Sequence, residues 1–92
     1  MIRSFRHKGL ALLFAKGKTF GVRADHAQRL RIVLARLHAA TSARDMDLPG
    51  LRLHPLKGQR AGFFSVSISG NWRVVFRFDG TDAIDVDYLD YH

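Results

Sequence analysis

Residues able to transfer protons and bind phosphate are concentrated in the C-terminal half of this 92-residue chain. Two histidines, His54 and His92, are accompanied there by the cations Lys57, Arg60 and Arg73. Cleaving RNA without a metal ion requires a base for the 2′-hydroxyl, an acid for the leaving 5′-oxygen, and cations for the charge of the transition state. Histidine is the usual proton carrier near neutral pH. This half of the chain therefore fits a metal-independent ribonuclease.

The last three residues add an acid, a phenol and an imidazole: Asp90, Tyr91 and His92. A terminus frays unless contacts hold it in place, and here the three groups directly follow a strand-like segment. A structural explanation exists for each candidate. Asp90 can be an exposed charge, Tyr91 a core or edge aromatic, and His92 no more than a chain end. Likewise, His54 can be a hydrogen-bonded strand residue.

The charge of the chain is strongly positive and uneven. The net charge is +7, from eleven arginines and four lysines against eight aspartates and no glutamate. Residues 1–60 have a local balance of +10, whereas residues 61–92 have −3. A basic region of this size attracts polyanions, of which nucleic acid is the commonest. The alternatives are a basic domain that is charged only for solubility, or one that binds an acidic protein.

The other histidines and the glycines do not form known chemical motifs. His7, His26 and His38 lack ligand spacing and a companion carboxylate cluster, so no metal site is expected. The loop KGQRAG does not match the phosphate-binding P-loop, and no cofactor is expected. The absence of cysteine and of a long apolar run predicts a soluble protein of the cytoplasm, without a membrane span.

Two amphipathic segments in the first half predict helices. The first covers residues 8–16 and is followed by the stop signal Gly-Lys. The second covers residues 24–40, where apolar positions recur at intervals of three and four. Its first turn contains Asp25, which suits the helix dipole and stands four residues before Arg29, a favourable order for pairing.

The rest of the chain changes to a period of two, which predicts strands. Short strands are expected at residues 2–5 and 51–56, and Pro55 places the second at a sheet edge or strand end. Longer strands are expected at 64–68, 72–78 and 84–88. The loop at 57–62 between them is cationic and is expected to be flexible.

Matching the apolar faces predicts how the strands pair. Val66 opposite Val74, and Val74 opposite Tyr88, keeps the apolar residues on one face and leaves three-residue turns. The second pairing brings Arg77 to Asp85, a cross-strand pair of opposite charges. It also places Arg73 opposite an apolar residue, so that its charge is available for a phosphate. The sequence predicts one α+β domain over residues 1–92, an antiparallel sheet with two helices on its apolar face.

Several motifs together resemble a known family. The run LHPLKG, the triplet NWR and the ending DYH are similar to the HigB-type toxins of the RelE superfamily, also called the plasmid-maintenance killer family. The segments IRSFRHKGLALLF and GVRADHAQRLRIVLARL fit the same pattern, so the resemblance covers the whole chain. It implies a RelE-like fold, with a small antiparallel sheet and two helices near the N-terminus.

The resemblance also implies a function and its partners. It implies a toxin of a type II toxin–antitoxin system, a ribosome-dependent and metal-independent endoribonuclease that cleaves mRNA in the ribosomal A site. Its partners would be mRNA on the 70S ribosome, with contacts to 16S rRNA, and a helix-turn-helix antitoxin similar to HigA. The implied catalytic residues are His54, Lys57, Arg73, Asp90, Tyr91 and His92, and the implied RNA-binding residues are Lys57, Arg60 and Arg73.

Within that site the assignment of roles is partly open. Tyr91 and His92 are expected to reach the scissile phosphate, with His54 opposite. Asp90 either accepts a proton or orients an imidazole, while the cations stabilise the transition state. Two non-catalytic alternatives remain: a basic module that binds RNA or the ribosome, and a protein-interaction domain that uses the arginine-rich second helix.

Overall fold

The computed structural model of the protein describes residues 1–91, which form two α-helices and a four-stranded antiparallel sheet. The helices are α1 (Lys8–Lys16) and α2 (Ala27–Ala39). The strands are β1 (His54–Pro55), β2 (Phe64–Ser69), β3 (Trp72–Asp79) and β4 (Asp82–Asp90). Strands that follow each other along the chain are neighbours in the sheet. The predicted α+β fold is confirmed.

Helix α1 ends at a glycine, as its sequence predicts, and begins at a histidine cap that was not predicted. The Nδ1 atom of His7 accepts a hydrogen bond from the backbone N–H of Leu10 at 3.2 Å, which satisfies one of the free donors of the first turn. Gly17 adopts a φ of 68°, in the left-handed region that favours glycine. Its N–H donates to the carbonyl of Leu13 at 3.0 Å, which closes the helix.

Helix α2 starts three residues later than predicted, because a turn of 3-10 helix, Ala24–His26, precedes it. Asp25 lies in this turn and pairs with Arg23 through two contacts of 3.0 Å, rather than with Arg29. A 3-10 turn has three residues per turn, so positions four apart no longer share a face. Arg29 instead donates to the carbonyl of Gly50 at 3.0 Å and ties α2 to the loop before β1.

The predicted pairing of the long strands is confirmed. Val66 lies opposite Val74, and Val74 lies opposite Tyr88. Both turns, however, are one residue shorter than predicted, because Ser69 pairs with Trp72 and Asp79 pairs with Asp82. A register shift in each strand pair takes up the extra residue, as β-bulges do.

The two predicted short strands are reduced to fragments. Only His54 and Pro55 form β1, since a proline has no N–H with which to extend the ladder. At the other edge of the sheet, the N-terminal segment contributes two isolated parallel bridges to β4, through Ile2 and Phe5. The N-terminal segment therefore covers the outer edge of the first half of β4.

The hydrophobic core lies between the helices and one face of the sheet. Its fully buried side chains include Leu10, Leu30, Leu34, Leu37, Met46, Val66, Val74, Phe76 and Val86. Trp72 is half-buried at the end of this core, with its ring centroid 4.7 Å from that of Tyr88. The opposite face of the sheet, which points away from this core, is called the open face below, although Ser65 and Val75 in its middle are buried. None of the helices within residues 1–91 has the length and apolar character needed to cross a bilayer.

Candidate active site

The pairing of β1 with β2 places His54 on the open face. His54 on β1 lies directly opposite Ser65 on β2. The row continues across the sheet through Val75 on β3 to Asp87 on β4. Side chains of directly paired residues share a face, so these four form one row across the sheet. The His54 side chain is exposed at the edge of this row.

Arg73 lies on the same face, in the next row of the sheet. It pairs with Ser67 on one side and with Leu89 on the other, as predicted for Leu89. Ser67 follows Ser65 by two positions, so Arg73 and His54 project to the same side of the sheet. Arg73 is half-buried, and its guanidinium group can offer the two parallel donors that a phosphate accepts.

The predicted cationic loop contains a single turn of 3-10 helix, Gly58–Arg60, next to the start of β2. The backbone N–H of Leu56 donates to the carbonyl of Phe63 at 2.9 Å, and the N–H of Phe63 donates to the carbonyl of Arg60 at 3.0 Å. These bonds fix the turn at the β1 edge of the open face. Lys57 precedes the turn and is exposed, whereas Arg60 is half-buried.

The described part of the C-terminal tail is held at the β4 edge of the sheet, opposite the β1 edge. Asp90 is the last residue of β4 and lies opposite Trp72. The backbone N–H of Tyr91 donates to the carbonyl of Asn71 at 2.7 Å, and its ring is exposed. The third predicted tail residue, His92, lies outside the described residues.

The structure brings some of the predicted residues together and keeps others apart. His54 is on β1 and the tail continues from β4, so three strand spacings separate them, or roughly 14 Å at about 4.8 Å per spacing. Arg73 lies between them. Because Asp90 alternates with Leu89, its carboxylate lies on the helix side of the sheet, where it belongs to the electrostatic surroundings of Arg23.

Two pKa shifts arise beside the tail. The Arg23 guanidinium, which donates to Asp25, holds the pKa of that carboxyl below its usual range. Burial raises the pKa of the Tyr88 phenol above its usual value. The phenol oxygen lies 2.5 Å from Nδ1 of His26, a buried contact that joins β4 to the 3-10 turn before α2.

The remaining histidines have structural partners. His7 caps α1, His26 contacts the Tyr88 hydroxyl, and Nδ1 of His38 accepts from the backbone N–H of Ile2 at 3.1 Å. Within residues 1–91 no three histidine, cysteine or acidic side chains are grouped so as to hold a metal ion.

Four further residues were not predicted as candidates for a site: Arg6, Phe63, Arg77 and Asp85. Arg6 and Arg77 approach the ring of Phe63, and Asp85 pairs with Arg77 at 2.8 Å. The Arg77–Asp85 contact itself was predicted, although a bulge makes Ile84 the backbone partner of Arg77. The alternation of β3 shows that Arg77 shares a face with Arg73, but no sequence pattern indicates that Arg6 comes near.

Comparisons with known proteins identify the family of the chain. The family described as RelE-like toxin of type II toxin–antitoxin system HigB matches residues 3–92. The chain is also 45% identical to Endoribonuclease HigB of Proteus vulgaris over 92 residues, which cover 100% of both chains. The predicted membership is thereby confirmed. This chain belongs to the HigB-like family of RelE-like toxins from type II toxin–antitoxin systems.

Proposed function

We propose that this toxin is an endoribonuclease that acts in the cytoplasm, requires the ribosome, and cleaves mRNA in the A site without a metal ion. Its full-length similarity to a curated endoribonuclease carries the proposal. The open face supports it, because His54 and Arg73 lie on the same face of the sheet. The net charge of +7 favours binding to a strand of RNA.

In this mechanism Arg73 holds the scissile phosphate near the middle of the open face. Its guanidinium group donates two hydrogen bonds to phosphate oxygens and stabilises the charge that builds up in the transition state. Lys57 and Arg60 bind the same strand of RNA from the edge where the 3-10 turn lies. The cations thus bind along one side of the RNA.

The proton carriers lie on either side of Arg73. The attacking 2′-oxygen and the leaving 5′-oxygen are roughly in line through phosphorus, so the base and the acid must act from opposite sides. In the proposal, His54 acts from one edge and the tail from the other, on a phosphate held between them. In the same mechanism, Tyr91 and His92 reach the phosphate. Asp90, whose carboxylate lies on the helix side of the sheet, does not contact the phosphate and instead accepts a proton from an imidazole or orients it.

The ribosome supplies the positioning that this small site lacks. Holding the reacting groups in register can contribute several kcal/mol, on the order of 7–11 in favourable cases. We further propose contacts with 16S rRNA for this purpose. A helix-turn-helix antitoxin of the HigA type is the proposed partner that neutralises the toxin.

The test is cleavage of mRNA in a reconstituted translation reaction, with and without 70S ribosomes. We expect cuts only with ribosomes present, at bonds within the A-site codon, and a loss of about a hundredfold or more in rate for His92→Ala and His54→Ala. Arg31→Gln, on the helix side of the molecule, is the matched control and should cleave normally.

Other outcomes would change the proposal. Cleavage of naked RNA would retain the nuclease but remove the ribosome from the mechanism. A folded wild-type protein that binds ribosomes without cleaving would leave the binding module as the function.

A further inference from the structure

An aromatic ring close to two guanidinium groups lies outside the residues used so far. The Cζ atom of Arg6 is 5.3 Å from the centroid of the Phe63 ring, and that of Arg77 is 5.5 Å from it. Asp85 approaches both arginines, at 2.8 Å from Arg77 and 3.8 Å from Arg6. One carboxylate thus faces two cations, which leaves this cluster of four residues with a positive charge.

The cluster adjoins the candidate active site directly. The backbone of Phe63 is bonded to both ends of the cationic turn, to Leu56 and to Arg60. Since Phe64 lies opposite Phe76 at the end of the ladder, Phe63 is one residue beyond it, next to Arg77. Phe63 therefore connects the cationic turn, through its backbone, with the two arginines, through its ring.

The cluster also lies at a suitable distance from Arg73. Arg73 and Arg77 are four residues apart on β3 and share a face, which places them roughly 13 Å apart along the strand at about 3.3 Å per residue. A nucleic-acid strand stacked at about 3.4 Å per nucleotide covers this length in about four nucleotides, and a stretched strand in fewer. One strand of RNA can therefore reach both arginines.

A purely structural role explains this arrangement poorly. The side chain of Arg6 is 55% exposed and that of Arg77 is 47% exposed. Ion pairs and cation–π contacts that are open to water contribute little to stability. Planar guanidinium groups and aromatic rings are, however, the surfaces on which proteins stack unpaired bases of RNA.

We propose that Phe63, Arg6 and Arg77 form a nucleotide subsite, which stacks one base of single-stranded RNA about two to four nucleotides from the scissile bond. The base stacks on the Phe63 ring or on the guanidinium plane beside it, and Arg77 binds an adjoining phosphate. The subsite rests on the proposed function, because it extends the path of the same RNA strand across the open face. It adds affinity and register and takes no part in proton transfer.

The first test measures binding without cleavage. A single-stranded oligoribonucleotide with 2′-O-methyl riboses is titrated with the toxin at low salt and followed by fluorescence anisotropy. We expect Kd to rise about fivefold to tenfold for Phe63→Leu and Arg77→Gln, as the loss of one stacked base or one phosphate contact predicts. Phe63→Trp should bind as the wild type does, and so should the control Arg31→Gln.

The variant Asp85→Asn distinguishes a role of the cluster in RNA binding from a role in stability. It breaks the same ion pair as Arg77→Gln but removes a negative charge, so RNA binding should stay equal or become tighter. Unchanged Kd values for Phe63→Leu and Arg77→Gln, with thermal midpoints lowered as much as by Asp85→Asn, would overturn the proposal. If Phe63→Leu does not fold, the exposed Arg77 decides the result through Arg77→Gln.

The second test uses ribosome-bound mRNA with a single abasic nucleotide at successive positions around the cleaved bond. At one position two to four nucleotides away, we expect the missing base to slow wild-type cleavage about tenfold and to leave Phe63→Leu unaffected. Equal effects on both proteins would contradict the subsite. A wild type that cleaves nothing on ribosomes would contradict the proposed function, while the binding test would still decide the subsite.

Discussion

At the scale of single residues, the position of Arg73 makes its shape as important as its charge. It lies between Ser67 and Leu89 in the middle of the open face, half-buried, so few orientations of the side chain are open to it. A lysine there would keep the charge but lose the two parallel donors. We expect Arg73→Lys to lower the cleavage rate about tenfold and Arg73→Ala about a hundredfold.

This prediction is checked by single-turnover cleavage on programmed ribosomes. Arg31→Lys is the matched control, because Arg31 is exposed on α2 and donates only to the carbonyl of Gly17 among residues 1–91. Equal rates for the wild type and Arg73→Lys would show that a point charge is sufficient.

A second residue, Ser65, lies in the row that contains His54. Its hydroxyl group lowers the free energy of unfolding. Its Oγ atom is buried and has no hydrogen-bond partner among residues 1–91. A buried hydroxyl without a partner costs about 1–3 kcal/mol. We expect Ser65→Ala to leave the free energy of unfolding unchanged or to raise it by about 1 kcal/mol, as measured by urea denaturation. A loss of stability above about 1 kcal/mol would mean that the hydroxyl is satisfied in solution.

At the scale of elements, the contact between His26 and Tyr88 joins the turn before α2 to the last strand of the sheet. Tyr88→Phe keeps the ring against Trp72 but removes the hydroxyl. We expect a loss of about 1 kcal/mol of stability in urea denaturation at pH 7, the usual contribution of one buried hydrogen bond. His38→Gln is the control, because His38 bonds to the N-terminal segment and not to the His26–Tyr88 pair.

The same contact predicts a change at alkaline pH. Burial raises the pKa of Tyr88 above its ordinary 10.0, so the folded state holds this proton more tightly than the unfolded state does. The resulting stability is complete below about pH 10 and is lost as pH rises through the pKa of the folded state. Tyr88→Phe should therefore show a smaller decline above pH 10 than the wild type.

The elements that the sequence predicts correctly are those set by local periodicity. The two helices and the pairing of Val66, Val74 and Tyr88 follow from which residues must be buried. The bulges and the 3-10 turn before α2 were not predictable, because they depend on how distant segments fit together. For the same reason, periodicity could place His54 and Arg73 on strands but could not show that β1 and β4 are separated by two strands.

At the scale of the whole molecule, several exposed aspartates have pKa values below their ordinary 3.8. The causes are Arg23 for Asp25, Arg3 for Asp79, and the backbone N–H of Thr41 for Asp45. A lowered pKa in the folded state gives stability that is present above the ordinary pKa and is lost as pH falls through the lowered value.

The thermal midpoint should therefore stay constant from pH 7 to about pH 5 and fall below about pH 4. The thermal midpoint of Asp45→Asn should be lower than that of the wild type at pH 7. It should also fall less steeply as the pH decreases, because Asn has no charge that protonation removes. Melting curves recorded between pH 2.5 and pH 7 test both points. A midpoint that stays level down to pH 3 would show that these contacts do not persist in solution.

The two edges of the sheet determine whether copies of the toxin can aggregate by strand addition at high concentration. An exposed edge strand offers free N–H and C=O groups, to which a second chain can add. Here β1 is only two residues long and contains Pro55, while the N-terminal segment bridges to the outer side of β4. Neither edge offers a long ladder, so growth into fibrils by strand addition is disfavoured even though the chain is rich in β-structure.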